Sequence, residues 1–252
     1  MILKNPKTIF VHVNKAAGSS IEMFFGANSA DQHLVASEYI DKMGKGDWKK
    51  YYTFSFVRNP WDRIVSWYLW INRSAFWYNA SDASYCGSWN EGGYSLNVDF
   101  LSPAMFLGGE SHKRGVDLHG GHPQVKPAWY LALKYNFKNF LEHIDSANDL
   151  SLYQDIYKYG HKGRWVSNQV EWLKNKSGKV CVDFIGRVEN IESDFQKVCE
   201  DLGVKYKKLK KVKKLNKRPH YSKFYDDETR KIVEKLYKKD IEYFNYDYHD
   251  ES

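Results

Sequence analysis

Lys15-Ala16-Ala17-Gly18-Ser19-Ser20 brings an ammonium group, two hydroxyls and a run of small residues one position, Asn14, after the apolar stretch Thr8 to Val13. A strand that turns into a helix through small residues presents successive backbone N–H groups to an anion at the positive end of the helix. The stretch therefore has the makings of an oxyanion cradle, although an ordinary tight strand-to-helix turn would read the same way. It is not the triphosphate loop G-x-x-x-x-G-K-[ST], because its lysine precedes the glycine instead of following it.

A second stretch repeats the plan. Thr53-Phe54-Ser55-Phe56-Val57 reads as a strand, Arg58-Asn59-Pro60 as a turn, and Ser66 lies two turns into the helix that follows. Arginine offers a planar fork that matches phosphate oxygens, and serine adds a neutral donor. Asn59 suits the N-cap, Pro60 the first helical position and Asp62 the first turn. With two such units in one chain, a plain surface arginine and a helix serine become the less favoured reading.

The histidines are the natural candidates for proton transfer near neutral pH. His33 lies between the two units, in Asp31-Gln32-His33-Leu34-Val35. His12 alternates with apolar neighbours in the first strand and reads as a packed or supporting residue. His119 and His122, in Leu118-His119-Gly120-Gly121-His122-Pro123, are alternative bases or acceptor contacts. Their spacing would suit a metal, but no third ligand matches it, so no metal is expected.

These residues need a scaffold that holds two strand-to-helix turns side by side. A third strand is expected over Val180 to Ile185, followed by a helix from about Glu192 to Leu202, and a last amphipathic helix spans roughly Asp226 to Tyr243. Strands alternating with helices predict an α/β fold with a central parallel sheet flanked by helices, whose ligands bind at the C-terminal ends of the strands. The segment at about 73–178 is less regular and rich in Trp, Tyr and Gly, and is expected to bind the acceptor. The whole of 1–252 reads as one domain, since no Pro/Gly/Ser-rich linker divides it.

Composition narrows the setting. Cys86, Cys181 and Cys199 show no metal-ligand spacing, which suits reduced thiols and a cytoplasmic location. No apolar run approaches the roughly 20 residues of a membrane span, and an early strand leaves no room for a signal peptide. The net charge of +7 is concentrated in the lysine-rich stretch Lys205 to Arg218. Such a stretch is a solvated face or an attractor of anions, and alone it does not choose among nucleic acid, acidic lipid and anionic small molecules. A basic nucleic-acid-binding module would use those lysines on phosphates and stack tyrosines on bases, but it leaves the two turns unexplained. A nucleotide kinase is disfavoured by the missing glycine-lysine order and the missing acidic metal motif.

Taken in order, these segments resemble the carbohydrate-type sulfotransferases, including heparan-sulfate 2-O-sulfotransferases and bacterial relatives. Ile9 to Ile21 resembles that family's 5'-phosphosulfate loop, H-x-P-K-T-[AG]-G-[ST]-[ST], and Phe56 to Tyr68 its 3'-phosphate loop. Arg164-Trp165 with Gln169, then Val182 to Asn190, and finally Tyr237 to Tyr248 resemble its later segments. Asn14 stands where proline is usual, a departure expected to leave the turn less rigid. The resemblance implies a P-loop-like sulfotransferase fold. It also implies 3'-phosphoadenosine 5'-phosphosulfate (PAPS) as donor and a hydroxylated acceptor, a carbohydrate or a small molecule.

By the same resemblance, Lys15, Ala17, Gly18, Ser19 and Ser20 hold the phosphosulfate, Arg58 and Ser66 hold the 3'-phosphate, and Asn216 with Arg218 forms a late donor-closing loop. His33 matches the segment that carries the family's catalytic base, and Lys15 would stabilise the leaving oxygen. Arg164, His119 and His122 are candidate acceptor contacts. No specific nucleic-acid partner is expected.

Overall fold

The computed structural model describes residues 1–27, 34–79, 88–90, 93–95, 136–146, 167–210 and 219–249. The first apolar run is strand β2 (Lys7–Val11), whose Ile9, Phe10 and Val11 are fully buried. A run of β-branched and aromatic residues without alternation is what a strand covered on both faces requires. Before it lies a short strand absent from the sequence expectation, β1 (Ile2–Lys4), paired with it antiparallel. On its other side β2 pairs in parallel with β3 (Tyr52–Val57), and β3 pairs in parallel with β4 (Phe184–Arg187). The four-stranded sheet is thus mixed but mostly parallel. Val180, expected to open the last strand, instead forms an isolated bridge with Lys174.

By contact the chain divides into two compact units: Met1–Arg63, Ser167–Arg218 and Tyr237–Ser252 form the first, and Ile64–Val166 with Pro219–Leu236 the second. The first holds the whole sheet. Helix α1 (Gly18–Phe24) follows β2, and α2 (Ala36–Met43) and α3 (Lys45–Trp48) lead to β3. Helix α4 (Pro60–Asn79) leaves β3 and continues into the second unit.

One face of the sheet is filled with aromatic rings. Phe10 and Phe54, directly opposite in the β2–β3 register, stack with centroids 4.9 Å apart. Phe24 from α1 meets Phe195 edge-on at 4.8 Å; Phe195 lies on α6 (Ile191–Asp201), which follows β4. Each such pair adds about 0.5–1.5 kcal/mol beyond its burial.

In the second unit, Trp67 and Tyr68 of α4 pack on Phe140 of α5 (Phe137–Ser146), at 5.5 and 5.4 Å. That unit also holds a small hairpin, Ser88–Asn90 with Gly93–Ser95, and helix α7 (Asp227–Leu236). The single helix expected over Asp226 to Tyr243 is two helices, because α8 (Lys238–Phe244) begins anew after Tyr237, whose backbone at φ −109° and ψ 23° is not helical. Among the described residues no helix is long and apolar enough to cross a membrane.

Candidate active site

The first turn begins where β2 ends. His12, 8% exposed, continues the strand's inward face; its ring stacks on Phe10 at 5.5 Å, and its Nδ1 lies 2.8 Å from Glu22 Oε1. Gly18 lies against that ring so closely that a Cβ there would sit 1.9 Å from His12 Nε2. Glycine is required here for close approach, not for an unusual φ. Lys15 and Ala17 do take left-handed backbone, at φ 62° and 61°, a conformation that costs a non-glycine residue roughly 1 kcal/mol or more.

What holds this reversal is a buried arginine. Arg63, 3% exposed, donates from Nε to the Asn14 carbonyl (3.2 Å), from Nη2 to Asn14 Oδ1, and from Nη1 to the Ser167 carbonyl (2.9 Å). Burial pushes the Arg63 pKa down. Asn14, itself 1% exposed, is therefore tied through both its backbone and its side chain. The loosening expected from the missing proline is countered by a hydrogen-bonded carboxamide.

Helix α1 opens with the Ser20 and Ile21 N–H groups bonding the Ala17 carbonyl at 3.0 and 3.3 Å, and Ala17 supplies no side-chain cap. The N–H groups of Gly18 and Ser19 belong to the first turn, where a helix offers them no acceptor. Lys15, Ala17, Ser19 and Ser20 are partly exposed while Ala16 and Gly18 are buried. At seven residues the helix contributes little dipole, so any anion would be held by these donors and by Lys15.

The second turn begins where β3 ends. Arg58 donates from Nε to Asp62 Oδ2 at 2.6 Å, pairs with the same oxygen through Nη2, and donates from Nη1 to the Lys15 carbonyl at 3.3 Å. Among the described residues three of its five N–H groups are thus engaged. Asn59 caps α4 as its type predicted: its Oδ1 accepts from the N–H of Trp61 (3.0 Å) and of Asp62 (3.4 Å).

Under this turn lies a layer of polar groups, partly to fully buried. The Asn59 N–H donates to Glu189 Oε1 at 2.6 Å, and the Tyr246 hydroxyl donates to Glu189 Oε2 at 3.1 Å. Burial raises the Glu189 pKa, against the pull of the Asn59 N–H. The Arg187 guanidinium lies over the Tyr246 ring at 4.7 Å. Gln169 holds Arg58 by its backbone, and Asp240 holds Gln169.

The structure therefore brings Lys15, Ala17, Gly18, Ser19, Ser20 and Arg58 to neighbouring strand ends in the first unit. Ser66 lies on α4 in the second unit, partly exposed. His33, His119, His122, Arg164, Asn216 and Arg218 fall outside the described residues, as does Cys86. Asn14, Arg63, Glu189 and Asp240 were not singled out from the sequence as site residues. Their signal was only their place in segments that resemble the family's: Asn14 in Ile9 to Ile21, Arg63 in Phe56 to Tyr68, Glu189 in Val182 to Asn190 and Asp240 in Tyr237 to Tyr248. Among the described residues no group of three or more His, Cys, Asp or Glu could hold a metal ion.

Residues 1–90 and 119–247 match the model of the sulfotransferase family. The chain belongs to that family. Searches of curated proteins and of solved structures return no match. As a sulfotransferase family member it is a transferase of sulfuryl groups, and its mostly parallel sheet flanked by helices is consistent with the sulfotransferase fold. Both strand-to-helix turns lie inside the matched residues.

Proposed function

We propose that the chain transfers a sulfuryl group from PAPS to a hydroxyl of a carbohydrate or other hydroxylated acceptor. The observation that carries this reading is the pairing of two anion-binding turns at the ends of adjacent parallel strands, joined by the Arg58–Lys15 contact. PAPS carries a phosphosulfate at one end and a 3'-phosphate at the other, so it fits a protein with two such turns. Lys15, Ala17, Gly18, Ser19 and Ser20 would hold the first group and Arg58 the second.

PAPS supplies a sulfuryl group on a good leaving oxygen. The chain's part is alignment and charge neutralisation, as in phosphoryl transfer. The Lys15 ammonium offsets the negative charge that grows on the departing oxygen. His33 accepts the proton of the acceptor hydroxyl as its oxygen bonds to sulfur and the bond from sulfur to the bridging oxygen breaks.

Calorimetry with 3'-phosphoadenosine 5'-phosphate and with adenosine 5'-phosphate tests the donor assignment directly. Preference for the bisphosphate is expected, and equal affinity for the two would remove PAPS as the donor. Transfer of label from PAPS across a panel of sugars and hydroxylated metabolites then identifies the acceptor.

A further inference from the structure

Gln169 opens a short 3-10 helix, Gln169–Leu173, and is fully buried. Its side chain brackets the Arg58 backbone: Oε1 accepts from the Arg58 N–H at 2.9 Å, and Nε2 donates to the Arg58 carbonyl at 2.7 Å. Arg58 is the first residue beyond the β3–β4 ladder, whose last pair is Val57 with Arg187. The carboxamide thus continues the sheet's hydrogen bonding by one residue on a strand that has run out of partners.

Gln169 is held in turn. Its own N–H and that of Val170 donate to the two carboxylate oxygens of Asp240, at 2.7 and 2.9 Å, and the Asp240 N–H donates to Asn168 Oδ1 at 3.2 Å. Asp240 is fully buried on α8. A carboxylate in that position is costly unless its oxygens are used. Here both accept from one short segment, so the segment cannot shift without leaving a buried acceptor unmet.

We propose that Asp240 and Gln169 form a two-step brace that sets the direction in which Arg58 leaves the sheet, making Gln169 a positioning residue for recognition of the 3'-phosphate. The brace rests on the donor reading above. It explains why a polar residue whose carboxamide is spent on the Arg58 backbone is fully buried beside the turn. The Arg58 guanidinium is fixed at its far end by Asp62 and at its root by Gln169, and a fork bound at both ends presents its remaining N–H groups in one direction.

The test measures affinity for 3'-phosphoadenosine 5'-phosphate against adenosine 5'-phosphate by calorimetry, on the full chain and on Gln169→Met and Asp240→Asn. Methionine keeps the volume and removes both bonds to Arg58; asparagine keeps one acceptor for the 169–170 backbone and loses the other. If the brace acts as stated, Gln169→Met lowers the preference for the bisphosphate about tenfold while affinity for the monophosphate changes little, and Asp240→Asn lowers it by less. If wild type prefers the bisphosphate and both variants keep that preference within about twofold, the brace is wrong and the donor reading stands. If both nucleotides weaken equally, Gln169 is merely structural and the brace is wrong. If wild type shows no preference, the donor reading fails and takes the brace with it. Should Gln169→Met not fold, Asp240→Asn decides by the same ratio.

Discussion

The Arg58 guanidinium reaches across from one strand end to donate to the Lys15 carbonyl at 3.3 Å, and pairs, in the first turn of α4, with Asp62, whose side chain is 2% exposed. Arg58 therefore serves the fold as well as any ligand. Arg58→Ala should weaken 3'-phosphoadenosine 5'-phosphate by roughly 1.5–3 kcal/mol, the worth of a charge-assisted contact, and adenosine 5'-phosphate far less. The same change removes the Arg58 ion pair from a buried carboxylate. Arg58→Ala with Asp62→Asn should recover thermal stability without recovering the nucleotide preference, as melting and calorimetry on the pair will show.

Lys15 is expected to matter most when charge develops. Lys15→Ala should lower turnover at saturating donor more than it weakens the product nucleotide, because an interaction stronger in the transition state than in the ground state raises rate and not affinity. Steady-state kinetics beside calorimetry separates the two. Unchanged turnover would remove Lys15 from the leaving-group role.

His33 is assigned as the base on the resemblance of its segment. His33→Ala should cost on the order of 10²–10⁴ in turnover with donor affinity nearly intact, and should flatten the acidic limb of the rate profile. The same substitution at His119 and His122 provides the comparison. Loss of activity there, with His33→Ala near normal, would move the base to the glycine-flanked segment.

Gly18 predicts a stability effect with an identifiable partner. Gly18→Ala forces a Cβ into the His12 ring, 1.9 Å from Nε2, and should cost about 1–3 kcal/mol as overpacking does. Adding His12→Ala should restore part of that loss, so a double-mutant cycle read by thermal melting should give a non-additive result. Additive losses would mean that the backbone, not the ring, resists the change.

Acid should loosen the second unit through α7. Asp226 caps that helix: its Oδ1 accepts from the Thr229 N–H at 2.8 Å and from the Thr229 hydroxyl at 2.7 Å, while its own N–H donates to Thr229 Oγ1 at 2.9 Å. The Thr229 N–H, then the Thr229 hydroxyl, hold the Asp226 carboxyl down at about 2, from an ordinary 3.8. A lowered folded pKa gives stability that is complete above the ordinary value and lost as pH falls through the folded one. Asp226→Ala should cost about 0.5–2 kcal/mol near neutral pH, as lost caps do. The variant should also lose the part of the acid-induced destabilisation between about pH 4 and pH 2, measurable by melts across that range.

Both turns were legible in the sequence because each is built from local signals. Pro60 at a first helical position, Asn59 before it and the small residues Ala16 to Gly18 restrict the backbone whatever surrounds them. The boundaries of β4 were not legible: Val180 and Val182 have strand character, yet pairing starts at Phe184 because the β3 register selects it. Nor was the break at Tyr237, since the apolar periodicity runs through it. The supporting layer was legible only as segments that resemble the family's, not as contacts. Gln169 and Asp240 are types usually exposed, they lie 71 residues apart in sequence, and only folding brings their atoms together.

The β2–β3 register has a consequence for how such a chain can change over generations. Val11 lies opposite Ser55, and the Ser55 hydroxyl donates to the Val11 carbonyl at 2.7 Å. Removing one residue from either strand would draw one turn back by about 3.3 Å against the other and turn every following side chain to the opposite face. Point replacements in β2 and β3 alter packing by degrees, whereas insertions and deletions break the span between Lys15 and Arg58 outright. The length of each strand, counted from the shared pair to its turn, thus constrains the two turns more tightly than packing at any single position within it.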